Sequence, residues 1–250
     1  MSRVFDDDTA NYVDLGDIAA CKFETAQTWT VLCFFRRTTQ TSHDVIISKW
    51  SSGPARQFYI RVASSDDVHV YMNSGKRING ATSVTTGWYL VAVTNDGTGG
   101  AGGLKLYTMD MLGAFIDDAV TGQASDDSNL TETIKFGKNN SDPHNGEIAF
   151  AACVGNEMTK EQIIEYRHNP YMVVAKQATV HFFLPLIGGS PEPDWGGADN
   201  PGTINGTLVV GSNPPIPLFN FDEWAYAVAA AGGNDGAAMY HHMRNMGVYG

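Results

Sequence analysis

The sequence predicts an all-β fold: a two-sheet antiparallel jelly-roll sandwich with one short helix and a C-terminal extension. Three observations predict it. Short runs of β-branched and aromatic residues recur along the chain, and turn residues separate them. Several runs alternate apolar and polar residues, which is typical of a strand with one buried face. The chain of 250 residues also contains 27 glycines, as a fold with many tight turns requires.

The stretch Gly87–Asp110 predicts a hairpin at the centre of this fold. Trp88–Thr94 is apolar on both faces, so we expect a central strand that is covered on both sides. In Leu104–Met109 the leucines alternate with lysine and tyrosine, which indicates one buried face. An Asn-Asp-Gly sequence and a glycine-rich spacer separate the two runs and predict an enlarged loop.

The other strand candidates follow similar patterns. In Gln57–Val62 and Val68–Met72 every second residue is apolar, so these residues are predicted to face inward. Thr28–Arg36 is apolar on both faces, and we expect either another layer or a partner to cover Leu32 and Phe34. The remaining predicted strands are Val4–Phe5, Tyr12–Leu15, Val45–Trp50, Ala114–Ile116, Ile134–Gly137 and Glu147–Val154.

One helix, Lys160–His168, is predicted between the strands and the C-terminal part. Thr159 is a good N-cap, Gln162 completes a capping box, and Pro170 stops the helix. Farther along, Val180–Leu186 contains a proline, so it is predicted to be an edge strand or an extended segment. The chain from residue 188 to residue 205 is rich in Gly, Pro and Asp and is predicted to be mostly loop.

Composition divides the chain into three predicted parts. Residues 1–170 form the sandwich, and residues 171–217 form a Pro/Gly-rich extended segment that adds strands to it. Residues 218–250 form a helical or extended docking tail, because they combine few charges with repeated Ala, Gly and Met. The interface residues predicted in this tail are Trp224, Tyr226, Met239, Tyr240, Met243 and Met246.

Charge and cysteine content limit the partners. The formal net charge is −11 and no basic block exists, which argues against nucleic acid as a partner. No run is long and apolar enough to span a bilayer, and no secretory signal peptide is visible, so we expect synthesis in a cytoplasm and no membrane partner. The three cysteines are scattered and are predicted to be small buried thiols rather than a disulfide or metal framework.

Several segments, in this order, resemble laminin-G-like, concanavalin A-like jelly-roll domains. They are FDDDTANYVDLG at Phe5–Gly16, WTVLCFFR, IISKW at Ile46–Trp50, GWYLVAVTNDGT, LKLYTMD, IKFGKNN and NGEIAFAACVGNEMTKEQIIEYRHNP. The resemblance covers Phe5 to Pro170 and implies two facing antiparallel sheets with a short helix closing one end. The later FFLPL, DxxGxxNPGTxxGT and PPI pieces are similar to laminin-G-like proteins encoded by tailed bacteriophages, which implies a virion context.

A catalytic function is not expected. A glycoside hydrolase of this class needs two carboxylates across a sugar cleft, and on a strand this demands an E-x-D-x-E arrangement, which the sequence lacks. Glu192 and Asp194 have the first spacing but lie in a proline loop, and Glu147 stands alone on its strand. A polysaccharide hydrolase is therefore the weakest of the functional hypotheses.

Carbohydrate binding would require exposed aromatic rings beside polar groups, since sugar rings stack on aromatic faces. The candidates are Trp195, Trp50 and Tyr71. Trp195 is the strongest of the three, because Asp194 and two glycines flank it in a long loop. The alternative interpretation of Trp195 is a tryptophan packed beneath its own loop.

No cofactor is required by this interpretation, but calcium is a candidate. Calcium takes oxygen ligands, and laminin-G-like domains often hold it at a loop rim through Asp and Asn. The alternative is that these residues cap their own turns. The candidate pairs are Asp96 with Asn95, Asp142 with Asn140, and Asp66 with Asp67.

The favoured hypothesis is a non-enzymatic structural or decoration protein of a tailed phage virion, on the capsid, neck or tail surface. Its partners would be other copies of itself and other virion proteins. The missing catalytic set, the missing export signal, the apolar sheet faces and the apolar tail favour it. The alternative is a carbohydrate-binding adhesin that recognises host surface glycans.

Overall fold

The computed structural model describes residues 1–39, 43–50, 56–73, 75–125, 131–139 and 141–216. Asn140 and the predicted interface residues of the tail lie outside these ranges, so the predictions for them stay predictions. The tail residues concerned are Trp224, Tyr226, Met239, Tyr240, Met243 and Met246.

The described chain forms strands and two short helices. The strands are β1 (Arg3–Asp6), β2 (Tyr12–Asp14), β3 (Thr28–Arg37), β4 (Asp44–Trp50), β5 (Arg56–Val62), β6 (Asp67–Met72), β7 (Gly75–Ser83), β8 (Gly87–Asp96), β9 (Leu104–Asp110), β10 (Phe115–Gly122), β11 (Ile134–Phe136), β12 (Asn145–Val154), β13 (Val180–Leu184), β14 (Thr203–Asn205) and β15 (Val209–Val210); the helices are α1 (Lys160–His168) and α2 (Met172–Lys176). Neither helix is long and apolar enough to cross a membrane.

The strands form two antiparallel sheets, which confirms the predicted all-β sandwich. The 8-stranded sheet has the order β10-β9-β8-β3-β12-β1-β15, and β13 also pairs with β12. The 7-stranded sheet has the order β14-β2-β11-β4-β5-β6-β7. The strands after α2 join both sheets, because β13 pairs with β12, β15 with β1, and β14 with β2.

The main core lies between the two sheets and is built from alternate residues, as predicted for β5 and β6. Side chains that alternate along a strand point to opposite faces, so one set is buried in the sandwich. The inward residues of these two strands all have 0% exposure and are Phe58, Ile60, Val62, Val68, Val70 and Met72. β8 lies between β3 and β9 and is buried along most of its length, which confirms the predicted central strand.

A second apolar layer covers the outer face of the 8-stranded sheet. Leu32 and Phe34 pack there against residues of α1 and α2, including Tyr166 and Val173. The Tyr166 ring stacks on Phe34 with centroids 5.8 Å apart, and its hydroxyl donates a hydrogen bond to the backbone carbonyl of Phe150. The chain's own helices thus provide the cover predicted for Leu32 and Phe34, and this face no longer argues for assembly with a partner.

The capping box at the start of α1 is present as predicted. The Thr159 side chain accepts a hydrogen bond from the backbone N–H of Gln162, and the Gln162 side chain accepts one from the backbone N–H of Thr159 at 2.9 Å. α1 ends at His168, with Asn169 as its C-cap. The second helix, α2, was not predicted, because it has only five residues and Tyr171 before it makes no side-chain cap.

Candidate functional site

Three aromatic side chains form a contiguous group on the outward side of β4, β5 and β6, which we name the aromatic patch: Trp50, Tyr59 and Tyr71. Tyr59 and Tyr71 are direct cross-strand partners, and their rings stack with centroids 4.5 Å apart and an interplanar angle of 5°. The Trp50 ring meets Tyr59 edge-on, with a centroid distance of 4.5 Å and an angle of 83°. Two of the three predicted glycan-binding residues are therefore brought together.

The local sequence explains why these rings face outward. Tyr59 lies between Phe58 and Ile60, which are both buried between the sheets, so the pleat of β5 directs its ring to the other side. Cross-strand neighbours on one face of a sheet lie close enough for large rings to touch. Tyr59 is 5% exposed because the other two rings flank it, whereas Trp50 and Tyr71 are half-buried.

Arg61 adds a cation to the aromatic patch. It lies two residues after Tyr59 on the same side of β5, and its guanidinium carbon is 4.7 Å from the centroid of the Tyr71 ring. Its Nη2 donates a hydrogen bond of 2.7 Å to the Tyr71 hydroxyl, and its Nη1 lies 3.8 Å from Oδ2 of Asp142. These contacts hold the guanidinium in place over the tyrosine ring.

A buried pair borders the aromatic patch along β6. Nε2 of His69 lies 2.8 Å from Oδ2 of Asp67, and the His69 ring is 6.1 Å from the Tyr71 ring. Burial acts to raise the pKa of Asp67, but hydrogen bonds from Ser65 and His69 outweigh it and lower this pKa. Asp67 is therefore a carboxylate at neutral pH, and the face carries both signs of charge.

This arrangement suits the binding of a neutral or weakly charged polar ligand with an apolar side. Rings provide apolar contact area, and the guanidinium and the tyrosine hydroxyl provide hydrogen-bonding groups in fixed positions. The sequence pattern identified Tyr59 and Arg61 only as outward residues of a strand. Their place beside Trp50 and Tyr71 depends on the register of β4, β5 and β6.

Trp195 lies in a different part of the molecule. Its ring stacks on Tyr171, with centroids 5.8 Å apart, and packs against the apolar layer over the 8-stranded sheet. Its backbone N–H donates to the carbonyl of Phe183 at 2.8 Å, and its indole Nε1 is buried without a hydrogen-bond partner in the described chain. These contacts are those of the alternative interpretation, a tryptophan packed beneath its own loop.

Glu192 holds the loop after β13. Its carboxylate accepts hydrogen bonds from the backbone N–H groups of Ile187 and Gly188 at 3.1 and 2.9 Å, and from Nε of Arg3. Burial raises the pKa of Glu192, although Arg3 opposes this shift. The carboxylate is thus committed to loop and strand contacts.

Asp194 has a similar structural role. It accepts hydrogen bonds from the backbone N–H groups of Phe183, Gly196 and Asn200 at 2.8, 2.8 and 3.0 Å. Burial raises its pKa, while these three hydrogen bonds act to lower it. Glu192 and Asp194 are therefore not available as a catalytic pair across an open cleft.

The first calcium candidate consists of Asn95 and Asp96 at the end of β8. Nδ2 of Asn95 donates to three backbone carbonyl groups within residues 24–27. Oδ1 of Asp96 accepts from the backbone N–H and the hydroxyl of Thr98, both at 2.8 Å, and these bonds lower the pKa of Asp96. In the structure Asp96 caps its own turn, whereas Asn95 holds the distant loop at residues 24–27.

The second calcium candidate includes Asp142. Its Oδ2 accepts a hydrogen bond of 3.1 Å from Nδ2 of Asn139, and its own backbone N–H donates to Oδ1 of Asn139. In the third pair, Asp66 contacts Arg37 and Asp67 contacts His69. Within the described ranges no group of three or more His, Cys, Asp and Glu residues is placed to hold a metal ion. Calcium binding stays a prediction.

Solved structures with the same fold include a bacterial protein and a pentraxin. A putative carbohydrate-binding protein from Bacteroides ovatus is 16% identical, with a TM-score of 0.57, and the match covers 88% of this chain and 62% of that protein. The heptameric SAP-like pentraxin from Limulus polyphemus is 14% identical, with a TM-score of 0.56, and the match covers 87% of this chain and 97% of the pentraxin. These likenesses concern the fold.

No curated protein matches the sequence. A family model described as the concanavalin A-like lectin/glucanases superfamily matches residues 7–164, which is more than half of the chain. The match spans the strands from β2 to β12 and most of α1, so it includes the aromatic patch. The chain belongs to the concanavalin A-like lectin/glucanase superfamily.

Proposed function

We propose that this chain is a non-enzymatic carbohydrate-binding protein that holds a glycan on the aromatic patch. The observation that carries the proposal is the contiguous placement of Trp50, Tyr59 and Tyr71 on an outward sheet face, with Arg61 fixed over the tyrosines. Sugar rings have apolar faces that pack on aromatic rings, and their hydroxyl groups accept hydrogen bonds from arginine and tyrosine.

The comparisons support carbohydrate as the ligand class. The superfamily is named for lectins as well as glucanases, and the Bacteroides ovatus structure is described as a putative carbohydrate-binding protein.

The contrast between the outer faces of the two sheets supports the aromatic patch as the binding surface. Helices α1 and α2 cover the 8-stranded sheet, whereas the aromatic patch projects from the other sheet.

We propose binding without hydrolysis because the acidic pair that the sequence offered for catalysis is used in loop contacts. Glu192 and Asp194 have the spacing closest to a hydrolase pair, but both carboxylates accept hydrogen bonds from loop amides. Incubation with soluble polysaccharides should therefore release no reducing sugar. Release of reducing sugar by the protein would contradict this part of the proposal.

The test begins with a glycan array and continues with calorimetry on each glycan that binds. We expect Trp50→Ala and Tyr71→Ala each to weaken binding at least about tenfold, which corresponds to about 1.4 kcal/mol. Tyr71→Phe keeps the ring and removes the hydroxyl that bonds Arg61, so its effect should be smaller.

The matched control is Tyr12→Ala. Tyr12 also lies on the 7-stranded sheet beneath a cation, with Lys138 Nζ 4.1 Å from its ring centroid, but β11 separates its strand from β4. This variant should bind as the unchanged protein does. An empty array, or unaltered binding in Trp50→Ala and Tyr71→Ala, would overturn the proposal.

Assembly in a phage virion, which the sequence resemblance implies, is a second proposal. One observation favours an assembly role: β15 ends the 8-stranded sheet, and its Val209 and Val210 are 58% and 49% exposed. An exposed apolar edge strand can pair with another chain. If it does so here, the full chain should form oligomers in light scattering, and Val210→Lys should dissociate them. A monomer at all concentrations would contradict self-assembly.

A further inference from the structure

Two of the three cysteines meet at a cavity of about 460 Å³. Sγ of Cys21 lies 3.6 Å from Sγ of Cys153, although 132 residues separate them in the sequence. Both are free thiols, with 2% and 0% of their surface exposed. Other residues that line this cavity, which we name the dithiol cavity, include Trp29, Thr179 and His181.

Backbone contacts hold the two cysteines from different sides. Cys153 lies near the end of β12, which pairs with β3 on one side and β13 on the other. Cys21 lies in the loop after β2, where its backbone N–H donates to the carbonyl of Ile18 at 2.9 Å. The buried ammonium of Lys49 donates to the carbonyl of Cys21 at 3.0 Å and to Oδ1 of Asp17 at 2.9 Å. The pair is thus preorganised by contacts that do not involve the sulfur atoms.

We propose that Cys21 and Cys153 are a modification site that hydrogen peroxide oxidises to a reversible disulfide. A disulfide bond is about 2.05 Å long, so the sulfur atoms must approach by about 1.5 Å. Cys21 lies in a loop and can supply this movement. Peroxide is the oxidant class that fits, because it is close to water in size and the dithiol cavity has room for it.

The reaction takes place in two steps. The Cys21 thiolate attacks one peroxide oxygen, the O–O bond breaks, and Cys21 becomes a sulfenic acid while hydroxide leaves. The Cys153 sulfur then attacks the Cys21 sulfur, the S–O bond breaks, and the second hydroxide leaves. The two thiol protons convert the two hydroxides to water, so the dithiol loses two electrons and peroxide gains them.

The surroundings of the two thiols favour this order of steps. Burial raises the pKa of Cys153 well above its ordinary value, and Cys21 raises it further, whereas Lys49 opposes the shift. Cys153 is therefore the poorer first nucleophile, because the thiolate is the form that attacks. Both thiols line the dithiol cavity, but Cys153 is held in a strand between two neighbouring strands, whereas Cys21 lies in a loop and can move to meet the oxidant.

The disulfide would tie the loop after β2 to a central strand of the 8-stranded sheet. A cross-link between residues so far apart in sequence removes much of the conformational entropy of the unfolded chain. It also fixes one wall of the dithiol cavity. The expected consequence is a rise in Tm of about 5 to 15 °C, which a reducing agent reverses.

Cys33 supplies the internal control. It is 1% exposed on β3, burial raises its pKa, and it is absent from the residues that line the dithiol cavity. The full chain is treated with peroxide and then unfolded in a denaturant that contains N-ethylmaleimide, which alkylates every free thiol. Mass spectrometry then counts the alkylated cysteines. We expect one alkylated cysteine after peroxide and three before it. Dithiothreitol should restore three.

The variants separate the proposed pair from a general oxidation. Cys33→Ser should still form the disulfide and gain in Tm, and should then show no alkylated cysteine. Cys21→Ser and Cys153→Ser should form no intramolecular disulfide and should gain nothing in Tm. The proposal is overturned if three thiols remain alkylatable after peroxide, if peptide mapping finds Cys33 in the bond, or if sulfinic acid is the product.

Discussion

Arg37 and Asp44 join the two sheets through a buried ion pair. Nε of Arg37 donates to Oδ2 of Asp44 at 2.8 Å, and both side chains have 0% exposure. Arg37 ends β3 in the 8-stranded sheet, and Asp44 begins β4 in the 7-stranded sheet. Nη1 of Arg37 also donates to Asp66 at 2.8 Å and to the carbonyl of Val84 at 3.1 Å. One guanidinium therefore fixes the crossing between the sheets.

Removal of one member of this pair should be costly. We expect Asp44→Ala to lower the free energy of unfolding by about 3–5 kcal/mol, because it leaves a buried guanidinium without its fully buried carboxylate partner. The control is Asp118→Ala, which removes an ion pair with Lys160 whose side chains are 47% and 40% exposed. It should cost less than about 1 kcal/mol. Urea unfolding at pH 7 measures both, and equal losses would contradict the assignment.

His144 should make stability depend on pH. It is fully buried, with Nδ1 4.0 Å from Oδ1 of Asp44 and its ring edge-on to Phe5. Burial lowers its pKa below the ordinary value of 6.5, although the charge of Asp44 opposes this shift. In the unfolded chain His144 thus takes up a proton near pH 6.5, whereas in the folded chain it is still neutral at that pH. The stabilisation is complete above pH 6.5 and is lost as the pH falls through the folded pKa.

The variant His144→Gln tests this dependence. Urea unfolding from pH 7.5 to pH 5 should show a steeper loss of stability in the unchanged protein than in the variant. The difference in slope is at most one proton, or about 1.4 kcal/mol per pH unit. The matched control is His168→Gln at the exposed end of α1, which should keep the steep slope. Identical slopes in the unchanged protein and His144→Gln would contradict the prediction.

Gly137 and Gly197 form a matched pair for a test of packing. Their φ angles are +84° and +81°, but a Cβ on Gly137 would lie 2.1 Å from Cδ1 of the buried Phe5, whereas a Cβ on Gly197 meets nothing within 4 Å. Gly197→Ala should cost about 1–2 kcal/mol from backbone strain alone. Gly137→Ala should cost about 1–3 kcal/mol more from overpacking. Denaturant unfolding measures the difference, and equal costs would contradict the close approach of Phe5.

Calcium should not be needed for folding. The described carboxylates of two of the three candidate pairs are already held, with Asp96 bonded to Thr98 and Asp142 bonded to Asn139. We therefore expect EDTA to leave the thermal transition in place. The calcium hypothesis predicts in addition a rise in Tm on addition of calcium that Asp96→Asn or Asp142→Asn removes. No rise in any of the three proteins would contradict it.

The parts of the fold that were predicted have local signals. The alternation in β5 and β6 gave their buried faces, and the Thr159–Gln162 capping box gave the start of α1. β7 was missed because it is largely polar, and its pairing with β6 is not visible in its own residues. β14 is a three-residue strand in a Gly- and Pro-rich stretch, and its pairing with β2 defines it.

The candidate site was likewise predicted only where its residues carry a local signal. Ring type and flanking residues were enough to single out Trp50 and Tyr71. Tyr59 and Arg61 became part of the group only through strand register, which places them beside these rings. The packing of Trp195 depends on its contact with Tyr171. The two residues lie in separate segments, and no sequence pattern predicts that these segments meet.

The meeting of β1 and β15 determines how the sandwich would respond to pulling. The Ser2 hydroxyl donates to the carbonyl of Ser212, and the two strands pair antiparallel through only two residue pairs. Tension applied through residues 2 and 212 would therefore open this ladder one pair at a time, like a zipper, instead of shearing it. The aromatic patch lies on the other sheet, outside the loaded strands, and would keep its shape while β1 and β15 separate.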